Sequence, residues 1–556
     1  MTIQPSSVAA VRFGSPLAFY VGCIAIVVGV LLHLPMLIGA RDVHYRLAGM
    51  AMDPSMFIGM ALIAFGIALA TYGVVPKRLG VSTRAALDVR YAWTRAIDDA
   101  PFTREHQRLV IILAVALIID IMKPATLAFV LPGMRKEYAL SLAVIAWFPF
   151  SALTGLAIGS FVWGGFGDRI GRRATLLVSA LFFMGTAICS AMPAFQWNVI
   201  MCFFMGLAAG GMLPIAITLL SELLPTRHRA TLIVLLGGIG AVGGYLAVSA
   251  CASLLEPTFG WRIMWLLNLP TGLILIVLNR LLPESPRFLL AQGRVQEAEH
   301  ILREFCASTI RAEVVASGAS EPEPGYGFVL RRLFRKPYLV QSLSVGLYGL
   351  SWGLVNYGFM LWLPLNLRQA GLGVASSDTI LAKSTLVAFP SVIVVAWLYS
   401  RWSSRRSIVL FSLLTTLALL AFLPVAESAR QHTFLLAAVI VALLSASTGM
   451  TSTLAPYSAE IYPTRERATG AGLAAGAGKF GGMLGGAAVL LHVTPTLVIS
   501  AVLVAIPAAL ATGVLTINAI ETRGRHLDET SRLAGDRAAS RAMPRERVAK
   551  RGGTES

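Results

Sequence analysis

Charged residues are scarce in this sequence of 556 residues, because Asp, Glu, Lys and Arg together make up only 13% of it. A soluble chain carries about 25% charged residues, so the composition excludes an ordinary soluble protein. The hydrophobic content of 56% also excludes intrinsic disorder. The sequence contains no Gly-x-x-x-x-Gly-Lys-Ser/Thr loop, so direct use of ATP is not expected. The five cysteines show no CxxC or metal-ligand spacing, which favours a role as apolar fillers: Cys23, Cys189, Cys202, Cys251 and Cys306.

Long apolar runs dominate what is present. A membrane-spanning helix needs about 20 mostly apolar residues, and the sequence contains fourteen such stretches. Two form an N-terminal helix pair, at about 17–39 and 55–75. The first run is longer than the apolar region of a cleaved signal peptide. Twelve more, which we name core helices 1 to 12, lie at about 109–132, 142–166, 174–194, 196–223, 231–255, 262–282, 338–364, 376–399, 406–425, 433–458, 467–491 and 495–519. The sequence therefore predicts an all-α polytopic membrane protein.

The distribution of basic residues predicts the orientation. The net charge of +18 would suggest nucleic-acid binding in a soluble protein. With the N-terminus in the cytoplasm, 35 of the 46 Lys and Arg residues fall in cytoplasmic segments and seven fall in outer segments. Because basic loops stay in the cytoplasm, we predict an integral protein of the cell (inner) membrane with both termini inside. The lipid bilayer is then its surrounding partner, and no nucleic-acid partner is expected.

The core contains an internal duplication. The segment 222–231, after core helix 4, matches the segment 460–469, after core helix 10, at seven of ten positions and a spacing of 238 residues. The pair Arg172-Arg173 also resembles Arg405-Arg406, which follow 233 residues later. Glycine-rich stretches occur in core helices 5 and 11. Two halves in parallel orientation are typical of a transporter. We predict these regions: 1–75 helix pair, 76–108 cytoplasmic linker, 109–283 N-terminal six-helix bundle, 284–337 cytoplasmic inter-bundle loop, 338–519 C-terminal six-helix bundle and 520–556 basic cytoplasmic tail.

Three motifs resemble those of the major facilitator superfamily. The segment 164–173 (GGFGDRIGRR) is similar to its motif A, 283–287 (PESPR) follows core helix 6, and a Glu-x-x-Pro-Thr-x-x-Arg box follows core helices 4 and 10. These motifs resemble the sugar-porter and organic-ion:proton symporter branches over roughly 105–525. The resemblance implies a core of six plus six helices. The N-terminal helix pair lies outside it and brings the total to fourteen.

The resemblance also implies a cytoplasmic gate between the two halves. Asp168 ends core helix 2 among arginines and is expected to pair with Arg172 or with a helix N-terminus. In the second half Arg401 stands where this Asp would be, so we expect an asymmetric gate. The alternative is that these loops only fix the topology. The predicted gate residues are Gly164, Asp168, Arg169, Gly171, Arg172, Arg173, Glu222, Arg227, Arg229, Glu284, Arg287, Glu460, Arg465 and Arg467.

Charged residues inside the spans indicate a functional site, because a charge at the bilayer centre normally faces a cavity or a partner. Asp120 is the deep acidic residue in core helix 1, and Lys123 lies three residues later on the same face of that helix, where the two can pair. We interpret the two as a proton or substrate coupling site, with a purely structural ion pair as the alternative. Lys479 in core helix 11 is a candidate substrate cation, and Lys383 in core helix 8 either contributes as well or extends its amine to the interface.

Core helix 7 carries Trp352, Asn356 and Tyr357 close together. That helix lines the cavity in the family, so these side chains are candidate substrate contacts, with bundle packing as the alternative. The sequence also departs from the sugar porters. Cys202 occupies the place of their core helix 4 arginine, and their glutamine pair in core helix 7 is absent. A sugar is therefore disfavoured.

The predicted function is secondary active transport of a small solute by alternating access, not enzymatic catalysis. Three lysines against one aspartate within the spans favour proton symport of a small organic anion or metabolite. The alternatives are a proton-antiport exporter, a sugar or polyol porter, and a non-transporting membrane sensor on the same fold. The partners expected are a small-molecule substrate and protons, with no cofactor and no metal.

Overall fold

The computed structural model describes residues 14–75, 97, 100–292, 294–306, 331–335, 338–369, 371–426, 433–462, 467–490 and 496–522. Within these ranges the chain is helical and forms no strand. Twelve helices in the described part are long and apolar enough to cross a membrane. Most of the predicted linker 76–108, much of the loop 284–337 and nearly all of the tail 520–556 lie outside the described residues.

The first half follows the predicted order. The N-terminal helix pair consists of Pro16–Leu31, continued by Leu34–Gly39, and of Pro54–Val74. Core helices 1 to 6 are Arg104–Glu137, Trp147–Ile170 (preceded by the turn Leu142–Ile145), Arg172–Gly185 (extended by the 3₁₀ turn Thr186–Ala191), Phe195–Leu223, Thr226–Phe259 and Asn268–Asn279 (preceded by the turn Ile263–Leu266). Two short helices, Pro286–Ala291 and Val295–Cys306, follow the first half.

The second half repeats this layout. Core helix 7 comprises Leu339–Gly353, a π-helical stretch Leu354–Phe359, a 3₁₀ turn Met360–Trp362 and Leu363–Gln369. Core helix 8 comprises Val374–Ala388, Ser391–Trp397 and Leu398–Trp402. Core helices 9 to 12 are Ser404–Leu420 (continued by Phe422–Ala426), Thr433–Glu460, Arg467–Leu490 and Leu497–Asn518. The fourteen predicted spans are thus confirmed as helices, and five of them are interrupted by a turn of one or two residues, at 32–33, 146, 267, 389–390 and 421.

The helix pair packs on the first half. Residues Ser15 and Gly73 meet at the side where core helices 1 and 7 begin, and we call this the terminal side. On the opposite side, which we call the far side, Glu137 at the end of core helix 1 accepts hydrogen bonds from Leu47 and Ala48 of the linker between the two helices, at 2.7 and 3.1 Å. A β-carbon at Gly185 in core helix 3 would lie 2.9 Å from Ile63, which shows how closely the pair approaches.

In each half, the glycine-rich fifth helix packs closely against the first helix. Core helix 5 packs on core helix 1, where a β-carbon at Gly244 would lie 2.9 Å from the carbonyl oxygen of Ile118. Core helix 11 packs on core helix 7, where a β-carbon at Gly481 would lie 2.2 Å from the carbonyl oxygen of Leu350. Small residues allow helices to approach closely in a bilayer. Each half therefore joins its fifth helix to its first helix by close contact.

Candidate functional site

A cavity of about 240 Å³ lies between the two halves. Core helices 1, 2, 4 and 5 of the first half and core helices 7, 10 and 11 of the second half contribute to its wall. Its lining is largely apolar, and it reaches toward the terminal side at Ser458 and Ala471. The polar and charged residues of the wall are Asp120, Tyr245, Trp352, Asn356, Tyr357, Ser447, Thr448, Thr451, Ser458 and Lys479.

Asp120 lies in this wall, and Lys123 lies behind it. The Lys123 Nζ atom is 3.3 Å from Asp120 Oδ1, so the predicted pair forms. The ammonium group also lies 4.1 Å from the centre of the Phe183 ring in core helix 3. Lys123 is 1% exposed and does not line the cavity. The structure therefore supports Lys123 as the buried partner of Asp120 and places it away from a bound solute.

Lys479 supplies the cation of the wall. It projects from core helix 11 in the second half and is close enough to Asp120 in the first half for an electrostatic interaction. Among the residues that the structure describes, Lys479 has neither an ion pair nor a hydrogen bond. An unpaired ammonium group in a mostly apolar cavity is costly unless a ligand pairs with it. Lys479 is therefore suited to bind an anion.

Three predicted residues of core helix 7 come together beside this cation. Trp352 Nε1 donates to Thr451 Oγ1 at 2.6 Å, and Asn356 Nδ2 donates to Ser447 Oγ at 3.1 Å. The Tyr357 ring stands at 77° to the Trp352 ring, with 6.0 Å between their centres. The π-helical turn holds Asn356 and Tyr357, in keeping with the frequent occurrence of such turns at functional sites.

The hydroxyl residues of core helix 10 were not among the predicted site residues. Ser447 and Thr451 are four residues apart and hold the polar groups of core helix 7. The hydroxyl-rich stretch 445–453 (SASTGMTST), which contains both residues, was the available signal. Lys383 was a candidate for the cavity wall, with an amine extended to the interface as the alternative. Its side chain is exposed on core helix 8 and takes no part in the wall, which agrees with the alternative.

The terminal-side residues of the first half form one connected cluster. Glu284 accepts from the backbone N–H of Arg172 at 2.9 Å and thus caps core helix 3. The Arg172 Nη2 atom lies 3.3 Å from Glu222 Oε1, and Glu222 also accepts from the hydroxyl of Ser285. Gly171 has a φ of +103°, and a β-carbon there would lie 2.5 Å from the Glu284 carboxylate. The motif therefore needs glycine at position 171.

An equivalent cluster exists in the second half. Glu521 accepts from the backbone N–H of Ser404 at 3.0 Å and caps core helix 9. Glu460 accepts from Thr522 Oγ1 at 2.6 Å and from the hydroxyl of Tyr399 at 2.8 Å. Sequence reasoning missed Glu521 and Thr522. The signal was a Glu-Thr pair after core helix 12, in the place of Glu284-Ser285 after core helix 6.

The alignment of the repeated arginines in the two halves is shifted by one residue relative to the sequence-based prediction. The Arg173 Nε atom donates to the carbonyl oxygen of Asn279 at 2.9 Å, and Arg405 Nη2 donates to that of Thr516 at 2.6 Å. Arg173 therefore corresponds to Arg405, whereas the sequence comparison paired it with Arg406. The shift arises because Arg172 and Ser404 are both the first residue of their helix.

The remaining predicted gate residues are less connected. Arg169 and Arg227 are exposed, and Arg229 donates to the carbonyl oxygen of Leu224 at 2.7 Å. Arg465 and the side chains of Asp168, Arg287 and Arg467 lie outside the described part of the chain.

Two six-helix halves around a central cavity with a buried charge pair define a membrane transporter rather than a soluble binding protein. The chain matches the Major Facilitator Superfamily over residues 112–486 and belongs to this family. The predicted resemblance and the prediction of a secondary transporter are confirmed.

Relatives and solved structures agree with this assignment. The niacin transporter NiaP of Acinetobacter baylyi is 28% identical over 70% of this chain and 87% of its own length. The gallate transporter of Pseudomonas putida is 30% identical over 70% of this chain and 86% of its own length. The 4-hydroxybenzoate transporter PcaK of Pseudomonas aeruginosa is 30% identical, with the same shares of 70% and 86%. The xylose transporter XylE from E. coli, in a partially occluded inward-open conformation, superimposes with a TM-score of 0.62 at 15% identity, covering 76% of this chain and 100% of XylE, which shows the shared fold.

Proposed function

We propose that the protein is a proton-coupled symporter of a small aromatic carboxylate. The observation that carries this proposal is the unpaired Lys479 in the cavity wall, beside the rings of Trp352 and Tyr357 and opposite Asp120. A cation and aromatic faces together suit a carboxylate on a flat ring. The cavity volume of about 240 Å³ lies below the roughly 300–1,000 Å³ of sites for drug-sized ligands, so a single-ring solute is favoured.

The named substrates of the relatives support the same class. Niacin, gallate and 4-hydroxybenzoate, the solutes in the names of three relatives, are all aromatic rings with one carboxylate. A sugar lacks the negative charge that Lys479 would pair with. In this proposal the protein lies in the cell membrane, with the terminal side in the cytoplasm and the far side outside, and the charge bias of the loops supports that orientation.

Coupling follows from the two neighbours of Asp120. When Asp120 is ionised, its charge is balanced by Lys123 and also attracts Lys479 across the cavity. When Asp120 takes up a proton, that attraction ends and Lys479 is available to the carboxylate of the substrate. The proton and the anion then bind together, and the cavity carries no added net charge. The arginine and glutamate clusters of the cytoplasmic side, with motif A, open and close the inner exit in this cycle.

Uptake into proteoliposomes tests the proposal. Purified protein should concentrate labelled benzoate-type acids along an inward pH gradient, and not labelled xylose. Asp120→Asn should abolish this accumulation but retain part of the counterflow exchange, because exchange needs no net proton movement. Accumulation by Asp120→Asn along a pH gradient would show that Asp120 is not the coupling group. An antiporter would instead expel the acid, and a sensor would move nothing in either assay.

A further inference from the structure

Arg368, at the end of core helix 7, joins the two halves on the far side. Its Nη1 atom lies 2.9 Å from Glu256 Oε1 and its Nη2 atom lies 3.1 Å from Glu256 Oε2. Glu256 belongs to core helix 5 of the first half, and Arg368 belongs to the second half. This bidentate ion pair therefore has to break whenever the far ends of the halves separate.

A second carboxylate binds the same guanidinium group. Asp378, near the start of core helix 8, has its Oδ2 atom 2.9 Å from Arg368 Nη2, the nitrogen that also contacts Glu256. Ser377 Oγ donates to Asp378 Oδ1 at 3.2 Å. The exposed fractions of the Arg368, Glu256 and Asp378 side chains are 11%, 5% and 0%. Two buried carboxyl groups thus share one cation.

The charges around this cluster do not balance without a proton. The groups that face it are Arg368 from core helix 7, Glu256 and the Tyr245 phenol from core helix 5, and Asp378 with the Ser377 hydroxyl from core helix 8. Within the described ranges no second Lys, Arg or His side chain forms an ion pair with Glu256 or Asp378. Two carboxylates held at one nitrogen repel each other, and such pairs retain one proton between them.

We propose that Glu256, Arg368 and Asp378 form the outer gate of the transport cycle, and that Glu256 and Asp378 together bind one proton when the gate is closed. The proposal rests on the proposed alternating access but not on the identity of the substrate. In this structure the gate is closed, and the central cavity, whose wall includes none of the three gate residues, reaches toward the terminal side at Ser458. The proton of the gate is distinct from the proton on Asp120, because it is taken up and released on the same side.

The sign of the pH dependence follows from this arrangement. The closed gate binds one more proton than the open gate, in which water solvates two separated carboxylates. Raising the outer pH therefore shifts the protein toward the open gate, by up to about tenfold in the ratio of open to closed per pH unit.

Distances between spin labels across the far side measure this ratio without any substrate. The labels go on Leu254→Cys in core helix 5 and Val374→Cys in core helix 8, both exposed positions. Cys23 and Cys251, the two half-buried native thiols, are replaced by Ser. Double electron–electron resonance of the full chain in lipid nanodiscs should show mainly a short distance at about pH 5 and a growing long-distance population toward about pH 8.

Variants identify the groups responsible. Glu256→Gln should keep the short distance at both pH values, because the amide is neutral and still accepts from Arg368. Asp378→Asn should do the same, whereas Arg368→Gln should show the long distance at both. Glu137→Gln is the matched control, since Glu137 pairs with Arg262 at 2.7 Å on the same side but within one half. It should respond to pH as the parent protein does.

Three results would overturn the proposal: a parent protein whose distances do not change with pH, a normal pH response in both Glu256→Gln and Asp378→Asn, or loss of the response in Glu137→Gln. If the distances change with pH as expected but the protein transports no aromatic acid, the gate proposal stands and only the proposed substrate class is refuted.

Discussion

Glu284 and Glu521 hold equivalent places in the two halves, 237 residues apart in the sequence. Each carboxylate follows the last helix of its half and accepts from the first backbone N–H of the third helix, at 2.9 Å from Arg172 and at 3.0 Å from Ser404. Each is followed by a hydroxyl residue, Ser285 or Thr522, that donates to the glutamate at the end of the fourth helix of its half, Glu222 or Glu460. The duplication has thus preserved a network that ties three helices together on the terminal side of each half.

Glu284 makes the stability of the first half depend on pH. Burial raises the pKa of its carboxyl group, although the N–H groups of Ser285, Arg172 and Arg173 oppose that rise. A raised pKa in the folded state means that folding takes up a proton. The contribution of Glu284 to stability is then largest at acidic pH, and it declines as the pH rises through the raised value.

The comparison with Glu284→Gln tests this dependence. The difference in melting temperature between the parent protein and Glu284→Gln, parent minus variant, should fall between about pH 4 and about pH 7. Glu105→Gln removes a carboxylate whose side chain is 43% exposed and serves as the control, with little change in that difference. Parallel profiles for the parent and Glu284→Gln would contradict the prediction.

Close packing of core helix 7 against core helix 11 predicts a large effect of one methyl group. A β-carbon at Gly353 would lie 1.7 Å from the carbonyl oxygen of Gly478. Because that oxygen belongs to a helix backbone, one of the two helices would have to move to make room. Gly353→Ala should therefore destabilise the protein by about 1–3 kcal/mol, the usual range for overpacking. Gly346→Ala on the same helix meets nothing within 4 Å and should be neutral or slightly stabilising. Thermal unfolding in detergent measures both, and equal melting temperatures would refute the packing argument.

The spans and the central charges were predictable because both are extreme features of composition. Fourteen apolar runs leave few alternatives for helix placement, and a lone acid such as Asp120 inside a span has to face a cavity or a partner. What the sequence could not provide is the direction of each side chain. Lys123 is only three positions from Asp120, yet its side chain points to Phe183 and not into the cavity. The packing of the neighbouring helices around core helix 1 determines which side of core helix 1 faces the cavity.

The gate on the far side was hidden for another reason. Glu256, Arg368 and Asp378 lie near helix ends, where charged residues are normal, so composition does not single them out. Arg368 lies 112 positions after Glu256 and ten positions before Asp378. Only the packing of core helices 5, 7 and 8 brings the three residues together.

The membrane orientation has a direct test. The bias of 35 basic residues against seven predicts that the linker of the helix pair is outside and that the segment 76–108 is in the cytoplasm. A cysteine introduced at Ser55 should react with an impermeant thiol reagent in intact cells, whereas one at Thr94 should react only after lysis. Labelling at Thr94 in intact cells would reverse the orientation and, with it, the assignment of inner and outer gates.

Lys479 should dominate the affinity for a carboxylate substrate, because a hydrogen bond to a charged group contributes about 1.5–3 kcal/mol. Lys479→Met retains a long side chain without the charge, and we expect it to raise the KM for an aromatic acid by about 10- to 100-fold, the equivalent of that free energy. Lys479→Arg keeps the charge and should recover part of the affinity. Lys383→Met is the matched control, since Lys383 is exposed on another helix of the same half and should leave the KM unchanged. Initial rates of uptake over a range of substrate concentrations provide these constants. A KM that is unchanged in Lys479→Met, or raised equally in Lys383→Met, would show that the substrate anion binds elsewhere.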